Sequence, residues 1–367
     1  MAQNVTPLTI TIATGLFPPD IGGPATFAVH AQKDWTAEGH TVRVLPFGVV
    51  RTYPFGIRHF LYAMKLFWYA RTSHVVIVLD PMSVGFPAYL VSFFTRTPFV
   101  LRLVGDYAWE QYVQRHHFVP RDTFESIKLP LNFHIMRSFQ QRVARRMRAV
   151  IVPSQYLESV TKLWGVAPNR IRVVYNMITP LSVSTRKQSY EASEPFRLLS
   201  VGRLVPWKGF RCLIEVLEHI PHATLTIVGS GPDDAALVKT AQAHHVHDRV
   251  FFERNYSREQ LLDAMASFDC LLFNTAYEGF SHVLIEAMAV GLPIITTTTG
   301  GNAEIVIHHD NAIVAPFNHH DDWQKAISLM QGNQSLREQL GQSAKTTASA
   351  FEGEGMTMRY LKIFQTL

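Results

Sequence analysis

Short apolar runs recur along the whole chain, each followed by a polar or glycine-bearing loop and then by a longer stretch of helical length. No other feature of the sequence constrains the fold as tightly. In the first half the runs fall at 8–13, 41–45, 75–79, 99–103 and 149–152; in the second half they fall at 197–201, 224–228, 250–252, 270–273 and 293–297. Runs this short, rich in Val, Ile and Leu, suit strands buried on both faces, as in a parallel sheet covered by helices. Helices are expected between them, including 133–148, 209–219, 233–244, 258–266, 281–289 and 321–340. Repeated strand–helix order predicts an α/β protein. Its 367 residues suggest about two domains of roughly 150 residues each. The polar, Ser-rich stretch "PLSVSTRKQSYEASEP" reads as the join. The expected division is a first domain over 1–180, a linker over 181–195 and a second domain over 196–345.

Ligands of doubly wound sheets bind outside the carboxyl ends of the strands, so the loops after the apolar runs are the places to search. "VGRLVPWKGF" leaves a strand and enters a helix, carrying Gly202, Arg203, Lys208 and Gly209. Two cations beside a helix start suit a diphosphate; a solvated basic loop is the alternative. "EGFSHVLIEAMAVGLP" holds two carboxylates, Glu278 and Glu286, in an otherwise apolar stretch. Ser281 suits an N-cap, which puts Glu278 on the strand-end loop and Glu286 about one turn into the helix. Ionised carboxylates at those places can accept hydrogen bonds from a polyhydroxyl ligand. The alternative is that one caps a loop and the other edges an amphipathic helix.

Weaker signals lie in three further loops. Gly229 and Gly231 in "IVGSGPDDAAL" would let a ligand approach the backbone. "TTTTGGNAEIV" offers Gly300, Gly301 and Glu304, which turn geometry and the helix dipole explain equally well. In the first half, Gly22, Gly23 and Pro24 make a flexible helix start. Asp106, in "VGDYAWE", either contacts an acceptor hydroxyl or caps the next helix.

These motifs, in this order and spacing, resemble the family 4-type (group 1) glycosyltransferases of GT-B architecture. "GRLVPWKGF", "VGSGP", "EGFSHVLIEAMAVGLPII" and "TGGNAEIV" carry the resemblance, and "VPSQYL…VVYN" extends it toward the first half. It implies two facing Rossmann-like domains and a C-terminal segment, 346–367, whose helix returns to the first domain. It implies transfer of a hexosyl or N-acetylhexosaminyl group from a nucleotide-diphosphate sugar to a hydroxyl of a glycan or lipid-linked acceptor, with retention. By this resemblance Arg203 and Lys208 hold the donor diphosphate, Glu286 the ribose, and Glu278 lies near the transferred sugar. Gly22, Gly23, Gly202, Gly229 and the helix-start residues Ser281, His282 and Val283 line the donor. Many members carry a histidine where this chain reads "LVGDYAW", so Asp106 stands as the acceptor-side candidate. No D-x-D pair occurs. Transfer without a metal or other cofactor is expected, Arg203 and Lys208 supplying the leaving-group charge. The same architecture also serves sugar-nucleotide 2-epimerases and non-catalytic sugar-nucleotide-binding subunits.

Charge is unevenly distributed. Residues 1–180 hold 19 Lys and Arg against 9 Asp and Glu, a balance of +10; the rest balances at −5. The aromatic "IRHFLYAMKLFWYARTSH" and the arginine-rich "RSFQQRVARRMR" lie in the basic part. They predict either a peripheral contact with an anionic membrane or core helices with solvated basic edges. No nucleic-acid-binding module accompanies the charge. No apolar run is long enough to span a bilayer, and the start lacks the pattern of a secretory signal. A cytoplasmic protein with two reduced thiols is expected, peripheral on the inner face of the cell membrane. The 17 histidines show no metal-ligand spacing and read as surface and loop residues.

Overall fold

The computed structural model describes residues 6–20, 22–178, 194–254, 256–352 and 355–367. The expected linker, 181–195, lies outside the described residues apart from its last two. The chain divides into two compact units. The first comprises 1–112, 126–175 and 354–367; the second comprises 113–125 and 176–353.

The first unit is built on strands β1 (Thr9–Thr14), β2 (Thr41–Pro46), β3 (Val75–Val78), β4 (Phe99–Arg102), β5 (Ala149–Val152) and β6 (Ile171–Val173). They form one sheet in the order β2-β1-β3-β4-β5-β6, every pairing parallel. Helices α1 (Gly23–Ala37), α2 (Ile57–Arg71), α3 (Gly85–Val91), α4 (Tyr107–Arg115), α5 (Leu131–Arg146) and α6 (Gln155–Leu163) fill the connections. All four residues of β3, β4 and β5 are buried; β3 and β5 are apolar throughout, as burial on both faces requires, and β4 ends in Arg102, whose guanidinium lies 4.4 Å from the Phe27 ring centre.

The second unit repeats the plan with β7 (Phe196–Val201), β8 (Ala223–Val228), β9 (Val250–Glu253), β10 (Cys270–Phe273), β11 (Ile294–Thr296) and β12 (Ile313–Val314). Their order is β12-β11-β10-β7-β8-β9. Its helices are α7 (Phe210–Leu217), α8 (Asp234–Ala243), α9 (Arg258–Met265), α10 (His282–Val290), α11 (His320–Gly332) and α12 (Gln334–Ser349). The last two replace the single expected helix over 321–340. Asn333 breaks it: its backbone leaves the helical region, and its side chain caps α12 by accepting from Leu336 N at 3.0 Å. The edge strands β6 and β12 were not expected. At three and two residues they carry too little periodicity to show in sequence.

The C-terminal helix α13 (Met356–Phe364) belongs to the first unit. Trp35 on α1 donates to Thr357 O at 2.8 Å, and the Thr357 hydroxyl donates to Asp34 Oδ2 at 2.7 Å. Tyr360 and Phe364 join Phe27 and Trp35 in the core of that unit. Cys212 and Cys270 are buried and form no disulfide with each other. Among the described residues, no helix is long and apolar enough to cross a membrane.

Candidate functional site

The topology of the second sheet selects its functional loops. From β7 the chain steps outward through β8 and β9, then returns to pair β10 on the other side of β7. The loops leaving β7 and β10 therefore diverge. Parallel α/β sheets open a ligand crevice at such a switch point. These are the loops that carry Arg203 and Lys208, and Glu278 and Ser281.

Backbone contacts hold the two loops together. Ala276 N donates to Trp207 O at 2.8 Å, and the Asn274 side chain donates to Gly209 O at 3.1 Å. The loop after β11 joins them. Gly301 N donates to Glu278 O at 2.9 Å, and a Cβ on Gly300 would lie 2.1 Å from the same oxygen. The loop after β8 is equally close to the loop after β7. Leu204 N donates to Ser230 O at 3.0 Å, and a Cβ on Gly229 would lie 2.0 Å from Gly202 O. The missing side chains of Gly229 and Gly231 make room for the neighbouring loop's backbone.

Lys208 Nζ and Glu278 Oε1 form an ion pair, each side chain 15% exposed. The ammonium also lies 4.9 Å from the centre of the Phe273 ring. Arg203 is exposed, and no ion pair involves it among the described residues. Ser281 caps α10 as expected, accepting from Leu284 N at 3.2 Å. His282 and Val283 follow in the half-buried first turn. The orientation of α10 sets its partial positive charge at that end, beside the Glu278 loop. Glu286 is 4% exposed, and its Oε1 accepts from Arg258 Nε at 2.8 Å. Burial raises the pKa of this carboxyl group above its ordinary value, and the Arg258 guanidinium opposes that rise. The two glutamates of one apolar stretch thus sit on different cations, each carboxylate compensated where water is largely excluded.

In the first unit, Gly22 stands at the start of α1 and Gly23 opens its first turn, exposed, with open space where a Cβ would be. Asp106 has no exposed surface. Its Oδ1 accepts from Trp109 N at 3.1 Å and from Gln140 Nε2 at 2.6 Å. This is helix-cap geometry, the second of the two readings the sequence allows.

Two residues escaped the sequence reading. Arg258, the partner of Glu286, is 28 positions away and has no local signature. Asp80 follows β3 at the first sheet's switch point. Its carboxylate accepts from Met82 N, Ser83 N and the Ser83 hydroxyl, and a Cβ on Gly15 would lie 2.5 Å from it. Burial raises its pKa. A lone acid ending the apolar run "VVIVLD" was the available signal.

Solved structures share this architecture along nearly the whole chain. Sucrose-phosphate synthase from Thermosynechococcus elongatus superposes with a TM-score of 0.78 at 18% identity, over 98% of each chain. HepE of Anabaena in complex with UDP-glucose gives 0.76 at 19% identity, over 98% of this chain and 100% of its own. The fold is GT-B: two Rossmann-like doubly wound units, with the C-terminal helix returning to the first. Residues 184–347 match the family described as Glycosyl transferases group 1. Among curated relatives, the lipopolysaccharide core biosynthesis glycosyltransferase LpsE of Rhizobium meliloti is 26% identical over 197 residues, 53% of this chain and 57% of LpsE. The chain spans between half and three fifths of the length of the first curated relatives it matches.

Proposed function

We propose that this chain is a retaining, metal-independent glycosyltransferase. It moves a hexosyl or N-acetylhexosaminyl group from a nucleotide-diphosphate sugar to a hydroxyl of a glycan or lipid-linked acceptor. The observation that carries the reading is the placement of Lys208, Glu278 and the α10 N-terminus on two loops that diverge at the switch point of a group 1 domain. Arg203 and Lys208 hold the diphosphate, joined by backbone N–H groups around Ser281, His282 and Val283. An ammonium has three N–H donors, so Lys208 can keep Glu278 while donating to a phosphate oxygen. As the glycosidic C–O bond breaks, negative charge grows on the departing phosphate. Fixed cations stabilise that charge more in the transition state than in the ground state. The departing phosphate oxygen takes the acceptor proton. Glu278 accepts from sugar hydroxyls, and Glu286, positioned by Arg258, accepts from the ribose.

The UDP-glucose recorded for HepE supports a uridine nucleotide as the first candidate, and the name of LpsE supports a surface-glycan acceptor. Thermal stability against UDP, GDP, ADP, CMP and dTDP tests the donor site, because a ligand that binds only the folded state raises Tm. One nucleotide should raise Tm in the wild type and leave Arg203→Ala/Lys208→Ala unmoved. No shift with any of the five at millimolar concentration would refute the assignment.

A further inference from the structure

An apolar face of the first unit is left in water. On α2, Ile57, Phe60, Met64 and Trp68 recur at helical spacing and are 53%, 66%, 47% and 63% exposed. Phe93 and Phe94, just beyond α3, are 53% and 76% exposed. The helices form one surface: His59 on α2 meets Phe86 on α3, which meets Phe139 on α5. Single exposed apolar residues are ordinary, but several large ones in register along one helix mark an interaction site.

Cations border this face. Arg71 lies 5.9 Å from the Trp68 ring centre and Arg146 lies 4.0 Å from that of Phe93. Beside Phe93 opens a cavity of about 440 Å³ lined by Arg96, Arg146, Arg148 and Arg170, with Ser92, Thr97 and the C-terminal residue Leu367. Its lining includes no Asp or Glu. Arg146 is positioned by donating to the Ser92 hydroxyl at 3.0 Å and to Ser92 O at 2.8 Å. The Thr97 hydroxyl donates to Ala70 O at 2.6 Å, which ties the rim of the cavity to the end of α2. Four arginines lining one cavity favour an anion there.

We infer that this face docks on an anionic bilayer, with the aromatic side chains of α2 and of the 93–94 segment in the headgroup and acyl boundary and a lipid phosphate in the arginine cavity. Aromatic side chains beside arginines whose stems lie along them suit the boundary between hydrocarbon and headgroups. Arginine matches phosphate geometry, and the excess of +10 over residues 1–180 supplies longer-range attraction. The inference does not depend on the donor site, which lies in the second unit.

The test is sedimentation of the full chain with vesicles of phosphatidylcholine alone, or of phosphatidylcholine with phosphatidylglycerol. One variant is Arg96→Ser/Arg148→Ser; the other is Phe60→Ser/Trp68→Ser/Phe94→Ser. All five positions are exposed, so a Tm close to wild type should show that each variant folds. Wild type should pellet with the anionic vesicles only. Each basic side chain near the surface contributes about a fivefold factor, so the arginine variant should lose about thirtyfold in partitioning. The aromatic variant should lose binding at least as far. Three results would overturn the inference: equal pelleting with both vesicles or with neither, wild-type pelleting by either variant, or a concentration-dependent dimer that uses the aromatic face in the absence of lipid. So would inorganic phosphate raising Tm through Arg96 and Arg148 while no vesicle binds, since the cavity would then serve a soluble anion.

Discussion

Replacing Lys208 by alanine separates what its ion pair does for stability from what it does for transfer. In the folded chain Lys208 and Glu278 are paired and each is 15% exposed. Removing the ammonium leaves a largely desolvated carboxylate. A fully buried partner lost in this way costs about 3–5 kcal/mol; partial exposure reduces that to about 2–4 kcal/mol. For a unit of this size the loss lowers Tm by about 5–10 °C. Lys208→Ala/Glu278→Ala removes the uncompensated charge and should recover most of the stability, because residues in contact do not behave additively. Transfer behaves differently. If Lys208 stabilises the departing phosphate, its loss costs about 10²- to 10³-fold in turnover, and the double variant recovers none of it. The assay is nucleotide release from the donor identified by thermal shift, run well below both melting temperatures, with nucleotide affinity measured by calorimetry. A double variant with both wild-type Tm and wild-type turnover would mean that the pair merely braces two loops. The leaving-group role would then be wrong.

Three further outcomes follow from the same geometry. Burial raises the Glu286 pKa, so its contribution to stability is fully present below the unfolded value and is lost as pH rises through the folded one. Glu286→Gln should therefore melt no lower than wild type at neutral pH, lose relative stability as pH falls into the carboxylate range, and bind nucleotide at least tenfold more weakly; a large drop in neutral-pH Tm would contradict this. Gly300 has a φ of 62°, and a Cβ there would press on Glu278 O. Gly300→Ala should cost about 1–3 kcal/mol in denaturant unfolding and reduce nucleotide affinity, since the Glu278 loop must move. Chelation with EDTA should leave turnover within about twofold, the transition-state charge being carried by Arg203 and Lys208; loss of turnover recovered by a divalent cation would refute metal independence.

Much of the fold was legible because its cause is local. A parallel strand buried on both faces is apolar nearly throughout, so β3, β5 and β10 announce themselves in sequence. The Ser281 cap and the proline at the start of α1 are likewise local chemistry. The break at Asn333 was harder to see, because the apolar spacing continues through α11 and α12, whose buried residues include Met330 and Leu340. Asp106 was ambiguous for the same kind of reason. A strand-end acid can face a ligand or cap the next helix, and the decision came from Gln140, 34 positions away.

The sequence by itself determined the alternation of strands and helices, the loops that carry cations and carboxylates, and the identity of Lys208, Glu278 and Glu286 as residues out of place in an apolar context. Only the tertiary structure decided which charges meet. Lys208 and Glu278 are 70 positions apart and meet because the parallel strands β7 and β10 bring their loops together; Arg258 and Glu286 are 28 apart and meet because α9 packs against α10. It also decided that Gly229 and Gly300 make room for the backbone of a neighbouring loop. Close approach between loops depends on sheet order and register, which are properties of the assembled sheet and not of any one segment.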